Sequence, residues 1–262
     1  MNKQPSVSII IPYKDNIKYL FSALNSTLKQ TYKNFEVIII YDDENKADLK
    51  NIRKYLKMNH TKKLPKVSIE INNRNLGAGH SRNKGIRKSK TKYVAFLDSD
   101  DLWAKNKLKT QIEYMEKYQC VFSHTSYYVI NEENNVVSVR NAKKTLSFNE
   151  LVKSCDIGLS TVVINRNFIK KNNFYFPKIK TKEDFVLWLK IIKEVRFIRG
   201  INKKLTYYRK TNNSLSSDKL LSLINGYKVY RFYMKYSIIR SIYYLLILSI
   251  NFVRKNVFRR NN

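Results

Sequence analysis

The sequence is poor in the residues that build flexible linkers, disulfide scaffolds and membrane spans. Its 262 residues include six glycines and four prolines, which argues against long disordered linkers. The two cysteines, Cys120 and Cys155, form no C-x-x-C pair, as expected for buried thiols in a reducing compartment. No signal-peptide core is visible, and no apolar run reaches the ~18–20 residues that span a bilayer. We therefore expect a cytoplasmic protein with one large domain, or one domain and an appendage.

Acidic residues are also scarce relative to basic ones. The chain has 20 Asp and Glu against 51 Lys and Arg, which gives a formal net charge of +31. Such an excess indicates an anionic partner: a nucleic acid, an anionic lipid or a phosphorylated substrate. The sequence has no zinc-finger spacing, no RNA-recognition aromatic motif and no heptad array behind a basic region. Charge alone therefore does not select among these partners.

Apolar runs alternate with helical patterns in the first part of the chain. The predicted strands are Ser6–Ile11, which Pro12 ends, Phe35–Tyr41, Val67–Ile71 and the run that leads into Asp98. Three of them are apolar without alternation, the mark of strands covered on both faces. The pattern predicts an α/β fold with a mainly parallel central sheet flanked by helices. Ligands of such sheets bind at the C-terminal strand ends, and the polar residues there are Tyr13, Asp42, Asp98 and Asp100.

The second half of the chain has a mixed pattern of helices and strands. A hairpin is predicted from Tyr127–Ile130 and Val136–Val139, and an amphipathic helix from Lys182–Ile192. The other predicted elements are a helix around Leu108–Met115 and strands at Cys120–His124, Ser160–Ile164 and Leu205–Arg209. A change of pattern of this kind is typical of a half that binds a second substrate.

Three carboxylates follow the fourth apolar run within four residues. Asp98 and Asp100 are one residue apart, so in an extended backbone both side chains face the same side. Paired carboxylate oxygens are ligands that Mg²⁺ and Mn²⁺ prefer, and either ion can hold a diphosphate. The alternative is an acidic turn before a helix near Ala104, with Asp101 as its cap.

The C-terminal segment is basic, aromatic and partly apolar. From Lys219 to Asn262 it carries nine Lys and Arg and no Asp or Glu. Its apolar stretch, Ile242–Val253, is too short to span a bilayer. A helix of this kind is typical of contact with a membrane surface. The alternative is a helix that packs on the domain and leaves its basic residues in solvent.

Seven segments, in order, resemble the inverting family-2 glycosyltransferases with the GT-A (nucleotide-diphospho-sugar transferase) fold. They are Val7–Tyr13, Gln30–Val37, Tyr41–Asp43, Asn75–Gly85, Phe96–Trp103, Glu183–Leu189 and Tyr208–Ser216. Each motif is weak alone, but their order and spacing over residues 5–217 are specific. The resemblance implies a GT-A domain over residues 1–217, with a nucleotide-binding half at 1–103 and an acceptor half at 104–217. Residues 218–262 would follow as a basic amphipathic helical tail.

The resemblance assigns the nucleotide part of the donor to the first half of the chain. Pro12 and Tyr13 would line the base pocket, with Tyr13 stacked on the ring. Asp42 matches the acid that accepts a hydrogen bond from the base, and Arg82 would lie near the nucleotide and balance its charge. The chain departs from the family at Tyr41, which replaces the first of two acids.

The resemblance also implies a metal site and a catalytic base. Asp98, Ser99 and Asp100 match the D-x-D segment, in which Asp100 and Asp98 would bind Mn²⁺ or Mg²⁺ at the donor's diphosphate. Asp184 matches the base that deprotonates an acceptor hydroxyl, which then displaces the diphosphate with inversion. For the residues alone, capping of the helix N-terminus by acids is the alternative. The residues expected on the acceptor side are Glu183, Trp188 and Arg209.

The expected function is transfer from a nucleotide-sugar donor, a UDP-sugar first among them, to a lipid-linked saccharide acceptor in capsule, O-antigen or lipooligosaccharide synthesis. The protein would be peripheral on the inner face of the cell membrane, with the tail on the anionic surface and no nucleic-acid partner. A homo-oligomer stays open, because the tail is also able to pair two chains. Two other functions stay open: a non-enzymatic polyanion- or nucleic-acid-binding protein, and an inactive glycosyltransferase-like partner subunit. The ordered acids argue against the first, since acids repel phosphate without a metal, and the intact Asp98, Asp100 and Asp184 argue against the second.

Overall fold

The computed structural model describes residues 5–59, 65–211 and 218–257. The strands are β1 (Val7–Tyr13), β2 (Phe35–Tyr41), β3 (Val67–Ile71), β4 (Tyr93–Phe96), β5 (Leu102–Trp103), β6 (Phe122–Ile130), β7 (Val136–Arg140), β8 (Thr145–Ser147), β9 (Val163–Asn165) and β10 (Phe197–Arg209). The α-helices are α1 (Ile17–Leu28), α2 (Ala47–Asn59), α3 (Ala78–Lys88), α4 (Lys107–Tyr118), α5 (Phe148–Leu151), α6 (Arg166–Lys171), α7 (Glu183–Val195), α8 (Lys219–Lys228) and α9 (Ile238–Val257). A 3₁₀ turn forms at Leu159–Thr161 and a π-helical turn at Val229–Tyr233. The end of the last matched motif, Ser214–Ser216, lies outside the described residues.

The strands form one mixed sheet in the order β3-β2-β1-β4-β9-β6-β10-β5, with β7 paired to β6 and β8 to β10. Pairing is parallel among β1, β2, β3 and β4 and again between β6 and β10. β9 runs antiparallel to both of its neighbours, β4 and β6. The predicted α/β fold is confirmed. Parallel pairing, which was predicted for most of the sheet, is confined to these two parts, where the paired strands that follow each other are joined by long connections that contain helices.

The strand order changes direction between β1 and β4. β2 and β3 lie on one side of β1, whereas β4 lies on the other. The loops that leave β1 and β4 therefore diverge, which opens a crevice at the C-terminal strand ends where ligands of open α/β sheets bind. Tyr13 ends β1 and Asp98 follows β4, so both predicted site segments reach this edge.

β1 continues through Pro12 instead of ending before it. Pro12 pairs in register with Ile40 of β2. The Leu97 N–H donates to the Ile10 carbonyl, so the backbone groups of Ile10 point towards β4. Pro12 is two residues further along the strand, and its backbone groups therefore point the same way. β4 has already ended at this level, and the proline nitrogen therefore meets no acceptor that requires an N–H donor.

Apolar side chains fill both faces of the sheet. Alternation along β1 sends Ile10 to the face covered by α3 and α7, and Ile9 and Ile11 to the face covered by α1, α2 and α4. The closest approach of helix and strand is at Gly85 of α3, where a Cβ atom would lie 2.5 Å from Ile10 Cγ2. Glycine at this position lets α3 lie directly on β1 and brings its N-terminus to the crevice.

β6 joins two predicted strands, Cys120–His124 and Tyr127–Ile130, into one strand of nine residues. The polar residues between them are buried and bonded within the fold. Ser126 Oγ donates to Asn202 Oδ1 at 2.9 Å and accepts from the Ala142 N–H at 2.8 Å. The polar stretch is therefore part of the sheet and does not interrupt it.

Three other boundaries differ from the predictions. The strand predicted at Ser160–Ile164 begins as the 3₁₀ turn and is extended only over Val163–Asn165. The strand predicted at Leu205–Arg209 is the end of the 13-residue β10. The helix predicted near Ala104 begins at Lys107, after the short β5, which pairs with β10.

The C-terminal helices pack on the domain through one face. Tyr230 Oη donates to the Val152 carbonyl at 2.7 Å, and Asn225 Nδ2 donates to Thr181 Oγ1 at 3.0 Å. The buried tail side chains that share an apolar core with Trp188 of α7 are Val229, Tyr230, Met234 and Leu248. Among the described residues, no helix has the length and apolar content needed to cross a membrane. This face of the tail therefore packs on the domain, as in the alternative that was left open for it.

Candidate active site

The loop after β4 turns its three carboxylates in different directions. Asp98 Oδ1 accepts from Arg82 Nη2 at 2.6 Å, and the Asp98 N–H donates to Ser160 Oγ at 3.0 Å. Asp101 turns inward, where its Oδ1 accepts from the Arg209 N–H at 2.8 Å. Asp101 is buried and does not cap α4, so the alternative of an acidic helix cap is wrong. We call this segment, residues 98–101, the acid loop.

Asp100 lies in a half-buried position beside Asp98. Burial and the charge of Asp98 raise the pKa of Asp100 to about 6, against smaller opposing effects of Arg209 and Arg82. Two carboxylates crowded in this way repel each other when both are ionised, and a divalent cation relieves that repulsion. The donor set therefore fits a hard cation such as Mg²⁺ or Mn²⁺, held by two protein carboxylates. In the part of the chain that the structure describes, no group of three or more His, Cys, Asp or Glu side chains is arranged to hold a metal.

Arg82 joins the acid loop to the N-terminus of α7. Its Nη2 contacts Asp98, and its Nη1 donates to Glu183 Oε1 at 2.7 Å. The Arg82 side chain is only 5% exposed. Burial alone lowers the pKa of Arg82, but Asp98 and Glu183 outweigh burial and hold that pKa above its ordinary range. A permanently charged guanidinium thus lies between the predicted metal ligands and the predicted base.

Asp184 occupies the first turn of α7, next to Glu183. The helix begins after Lys182, which has a left-handed backbone with φ of 65°. Asp184 Oδ1 accepts from the Phe185 N–H at 2.7 Å. Burial and the charge of Glu183 raise the pKa of Asp184 to about 7, against smaller opposing effects of Arg82 and Lys182. A carboxyl with a pKa near neutral pH suits proton acceptance.

Asp42 holds the loop that leads into α3. Its Oδ2 accepts from the Gly77 N–H at 2.8 Å, and its Oδ1 accepts from the Leu76 N–H at 2.9 Å and from Asn72 Nδ2 at 2.7 Å. Gly77 has φ of +87°, a conformation that favours glycine. The buried carboxylate therefore anchors this turn, a role that the sequence did not reveal. Its contact with a nucleotide base stays a prediction.

Pro12 and Tyr13 lie at the same edge of the sheet but are buried. Tyr13 Oη donates to Asp48 Oδ2, and the Tyr13 ring packs with its centroid 5.3 Å from that of Tyr41. Burial and the bond to Asp48 raise the pKa of Tyr13 above its ordinary range. Because Tyr13 is 0% exposed, the predicted stacking of a base on its ring is contradicted by this structure. The lining role of Pro12 stays a prediction.

Arg209 ends β10 and ties three segments together. Its Nε donates to the Asp100 carbonyl at 2.9 Å, its Nη1 to the Asn131 carbonyl at 3.0 Å and its Nη2 to Asn134 Oδ1 at 2.8 Å. The guanidinium also lies 4.6 Å from the centroid of the Tyr19 ring. Arg209 is buried and its donors are engaged, so the predicted acceptor contact is wrong. Arg209 instead positions the acid loop.

Comparison with known protein families gives a match that spans most of the chain. Residues 8–234 match the family described as "Glycosyl transferase family 2". The chain belongs to this family. The matched range includes the acid loop, Arg82 and α7, and it continues past residue 217 through α8 and the π-helical turn.

Family-2 relatives of similar length share about a third of their residues with this chain. This chain is 34% identical over 259 residues to the Escherichia coli protein "UDP-Glc:alpha-D-GlcNAc-diphosphoundecaprenol beta-1,3-glucosyltransferase WfgD". The aligned residues cover 98% of this chain and 97% of WfgD. It is 32% identical over 231 residues to the Bacillus subtilis (strain 168) protein "Putative teichuronic acid biosynthesis glycosyltransferase TuaG". Here the aligned residues cover 88% of this chain and 89% of TuaG.

Solved structures show the same fold at lower identity. S. aureus TarS, residues 1–349 in complex with UDP-GlcNAc, superposes with a TM-score of 0.70 at 21% identity, over 98% of this chain and 74% of that one. The mannosyltransferase PcManGT from Pyrobaculum calidifontis, in complex with GDP-Man and Mn²⁺, gives a TM-score of 0.67 at 13% identity, over 96% and 74%. At these identities the likeness speaks for the fold alone, and the predicted GT-A fold is confirmed.

Two further predicted site residues of this glycosyltransferase have different outcomes. Ser99 is half-buried within the acid loop, and its contact with the donor stays a prediction. Trp188 is completely buried and packs edge-on against Phe122 and Phe176. Trp188 lies one helical turn beyond Asp184, inside the core, so the predicted acceptor contact of Trp188 is wrong.

Asn83 and Ser160 position the site, although sequence reasoning gave neither of them a role. Asn83 Nδ2 donates to the Phe176 carbonyl at 2.8 Å, and the Phe176 N–H donates to Asn83 Oδ1 at 2.9 Å, which ties α3 to the segment before α7. Ser160 supports the acid loop through the Asp98 N–H. The signal for Asn83 was its place directly after Arg82 in a matched motif; no comparable signal marks Ser160.

Proposed function

We propose that this chain is an inverting, metal-dependent glycosyltransferase that moves a sugar from a UDP-sugar to a hydroxyl of a lipid-linked saccharide in surface-polysaccharide synthesis. The observation that carries the proposal is the ion-paired cluster of Asp98, Arg82 and Glu183, with contacts of 2.6 and 2.7 Å, flanked by Asp100 and Asp184. The names of WfgD and TuaG support the acceptor class and the polysaccharide pathway. The TarS complex with UDP-GlcNAc supports a UDP-linked donor.

On the donor side, Asp100 and Asp98 would hold Mn²⁺ or Mg²⁺. When bound, the ion would offset the negative charge that develops on the departing nucleoside diphosphate. Arg82 adds a fixed positive charge beside Asp98, and Arg209 holds the loop through the Asp100 carbonyl. Partial burial of these groups strengthens their electrostatic effect on a bound diphosphate. The Mn²⁺ in the PcManGT complex supports a divalent ion in this fold.

On the acceptor side, Asp184 would take the proton from the attacking hydroxyl. The hydroxyl oxygen then bonds to the anomeric carbon on the face opposite the diphosphate, and the bond between that carbon and the diphosphate oxygen breaks. A single displacement of this kind inverts the anomeric configuration. With its pKa raised to about 7, the Asp184 carboxylate is a stronger proton acceptor than an ordinary aspartate, and it is still ionised in part at neutral pH. The charge of Glu183, which Arg82 holds in place, contributes to this basicity.

The enzyme would act as a peripheral protein on the cytoplasmic face of the membrane, without a nucleic-acid partner. A diphosphoundecaprenol-linked acceptor, the kind that the name of WfgD gives, lies in a bilayer. The basic C-terminal helices are the part of this chain proposed to meet that bilayer. Self-association of two chains through the same helices is the competing prediction for this segment.

Ligand-induced stabilisation tests the donor site. UDP with Mn²⁺ should raise Tm, and GDP or TDP should raise it less. The expected size is set by linkage: a ligand that binds only the native state stabilises it by about 2.7 kcal/mol at 100 times its Kd. Asp100→Asn should remove the metal-dependent part of this shift, whereas Glu133→Gln, in an exposed turn, should keep it. If a folded sample responds to no nucleotide, the proposal fails, and salt-dependent polynucleotide binding would then support the polyanion-binding alternative.

Transfer with inversion is tested on the product. Incubation with a UDP-sugar and a GlcNAc-diphospholipid should give a product whose new linkage has the anomeric configuration opposite to that of the donor. The anomeric coupling constant in the proton NMR spectrum measures this configuration. A product with the donor's own configuration would exclude a single displacement with Asp184 as the base.

A further inference from the structure

The C-terminal helices expose a broad apolar face on the side away from the domain. On α9 the outward residues repeat at helical spacing: Ile239, Ile242, Tyr243, Leu246, Ile250 and Val253. Ile239 is 83% exposed and Leu246 is 57% exposed. α8 and the π-helical turn add Leu220 and Phe232. We call these residues together the apolar face; exposed apolar surface of this extent marks an interaction site.

A groove of about 480 Å³ adjoins the apolar face, between α8 and α9. Its lining residues are Leu223, Ile224, Tyr227, Lys228, Phe232 and Leu245. All of them except Lys228 are apolar or aromatic, so the groove suits hydrocarbon better than a polar ligand.

Basic residues accompany the apolar face, and the stretch from Lys219 to Asn262 contains no acidic residue. The exposed basic side chains along the two helices and their connection include Lys219, Lys228, Lys235, Arg240 and Arg254. The Arg240 guanidinium lies 4.1 Å from the centroid of the Tyr236 ring. An apolar face accompanied by Lys, Arg and aromatic residues is typical of helices that lie in the interface of an anionic bilayer.

The same helices lie against the segment that leads into α7. Asn225 Nδ2 donates to Thr181 Oγ1 at 3.0 Å. A Cβ atom on Gly226 would lie 3.5 Å from Lys182 Cε, so the Lys182 side chain runs over α8. Asp184 follows two residues later. The C-terminal helices are therefore fixed to the segment that leads directly into the residue proposed as the catalytic base.

Two further lysines of this segment, Lys178 and Lys180, are exposed. Tyr233 Oη donates to the Lys178 carbonyl at 3.4 Å, which links this segment to the π-helical turn. Exposed lysines in the segment that joins the π-helical turn to the start of α7 are suited to contact phosphate groups at headgroup depth.

We propose that the apolar face lies in the interfacial layer of an anionic lipid bilayer and that Lys178, Lys180 and Lys182 contact the phosphate groups of that bilayer. The consequence for catalysis rests on the proposed function: the bilayer contact holds Asp184 beside the layer from which the saccharide of a lipid-linked acceptor projects. Because the C-terminal helices and α7 share one core, docking of the face also fixes the orientation of the active site to the membrane.

A second copy of the chain fits the apolar face less well than a bilayer does. Pairing of two such faces would bring together two basic surfaces that contain no acidic residue, in chains of net charge +31. Like charges at this distance repel each other and oppose association. Anionic headgroups neutralise the same charges, so the bilayer satisfies both the apolar and the basic parts of the surface.

Sedimentation of the full chain with lipid vesicles tests the face directly. The protein should bind vesicles rich in phosphatidylglycerol, bind them less at high salt, and bind phosphatidylcholine vesicles weakly. Ile239→Asp combined with Leu246→Asp should weaken binding by about 100-fold or more, because two apolar side chains leave the bilayer. The matched control is Val136→Asp with Val137→Asp in β7, where both residues are 53% exposed; it should bind as the wild type does.

A second experiment tests the lysine contact. Transfer is measured to a lipid-linked acceptor in vesicles and to a water-soluble short-chain acceptor, and the first rate is divided by the second. Lys178→Gln with Lys180→Gln should lower this ratio by about tenfold. Lys203→Gln with Lys204→Gln, in an exposed part of β10, should leave the ratio as it is.

Three results separate the possible outcomes. Equal vesicle binding by the face variant and its β7 control would overturn the proposal. The proposal would also be overturned if the wild type formed a dimer, the face variant did not, and vesicle binding were unaffected. A second copy of the chain would then be the occupant of the face. Vesicle binding that depends on the face, without transfer to either acceptor, would support the docking surface and count against the proposed function alone.

Discussion

Replacement of Asp184 by asparagine should abolish transfer and at the same time stabilise the fold. Burial and the charge of Glu183 raise the pKa of Asp184 to about 7 from its ordinary value of 3.8. In the unfolded chain this carboxyl ionises near its ordinary value, whereas the folded chain keeps it protonated up to about pH 7. Asparagine is neutral at every pH and keeps an oxygen that accepts from the Phe185 N–H.

The size of the stabilisation follows from this difference in proton binding. Between about pH 4 and pH 7 the unfolded state binds fewer protons than the native state, so the stability of the wild type falls as pH rises. One pKa unit corresponds to about 1.4 kcal/mol, which sets an upper bound of about 4 kcal/mol above pH 7. Glu183 shares the effect, and a negative charge at a helix N-terminus gains about 0.3–1 kcal/mol. We therefore expect the Asp184→Asn variant to be more stable by about 2 kcal/mol.

Urea unfolding across the pH range from about 4 to 8 measures this difference. The stability advantage of Asp184→Asn should be absent near pH 4 and complete near pH 8. Glu194→Gln, an exposed residue in the last turn of the same helix, should show no such trend. Transfer by the wild type should decline as pH falls below about 7, and the variant should lose about 10²–10⁴-fold in kcat. A variant that is less stable than the wild type at pH 8, or one that turns over normally, would refute the reasoning.

Three further changes test the structure around the site. Arg82→Met should lower the free energy of unfolding in urea by roughly 3–5 kcal/mol, because two carboxylates lose their buried partner. The control Lys88→Met breaks an exposed ion pair and should lower it by less than about 1 kcal/mol. Equal losses would contradict the burial argument. Gly85→Ala should cost about 1–3 kcal/mol because its Cβ has no room against β1, whereas a neutral effect would mean that α3 is free to shift. Asp42→Asn should cost about 1–3 kcal/mol and increase proteolysis of the loop before α3, and an unchanged cleavage rate would show that Asp42 does not anchor that loop.

Apolar patterning was sufficient to predict the first strands because β1 and β2 are buried on both faces. Phe35–Tyr41 and Val67–Ile71 have the predicted boundaries. Patterning failed in β6, where buried hydroxyl groups find partners far along the chain. Ser126, for example, bonds with Asn202, 76 residues away. A sequence pattern records the polarity of a residue but does not show which distant group satisfies it.

The motif order predicted which segments of the chain meet more reliably than it predicted the direction of each side chain. Asp98 and Asp184 lie in one cluster with Arg82 and Glu183, as the motif order implied. Arg209 stands in a matched motif too, yet it is buried and bonds backbone carbonyls from two remote segments. A motif preserves residues that position a loop as well as residues that contact substrate, and only the three-dimensional contacts distinguish the two.

The contacts of Arg209 also restrict how such an enzyme can be re-engineered. Its guanidinium joins the acid loop, the turn at residues 131–134 and the end of β10 into one mechanical unit. A chimera that exchanges the β6–β7 turn alone for that of another family member would remove the Asn134 acceptor, displace the backbone carbonyls of the turn from a buried cation and loosen the hold of Arg209 on the backbone of Asp100. Exchange of the turn together with the end of β10 would keep this unit intact. Grafts intended to change sugar preference should therefore follow spatial boundaries, even where these join segments that are far apart in the gene.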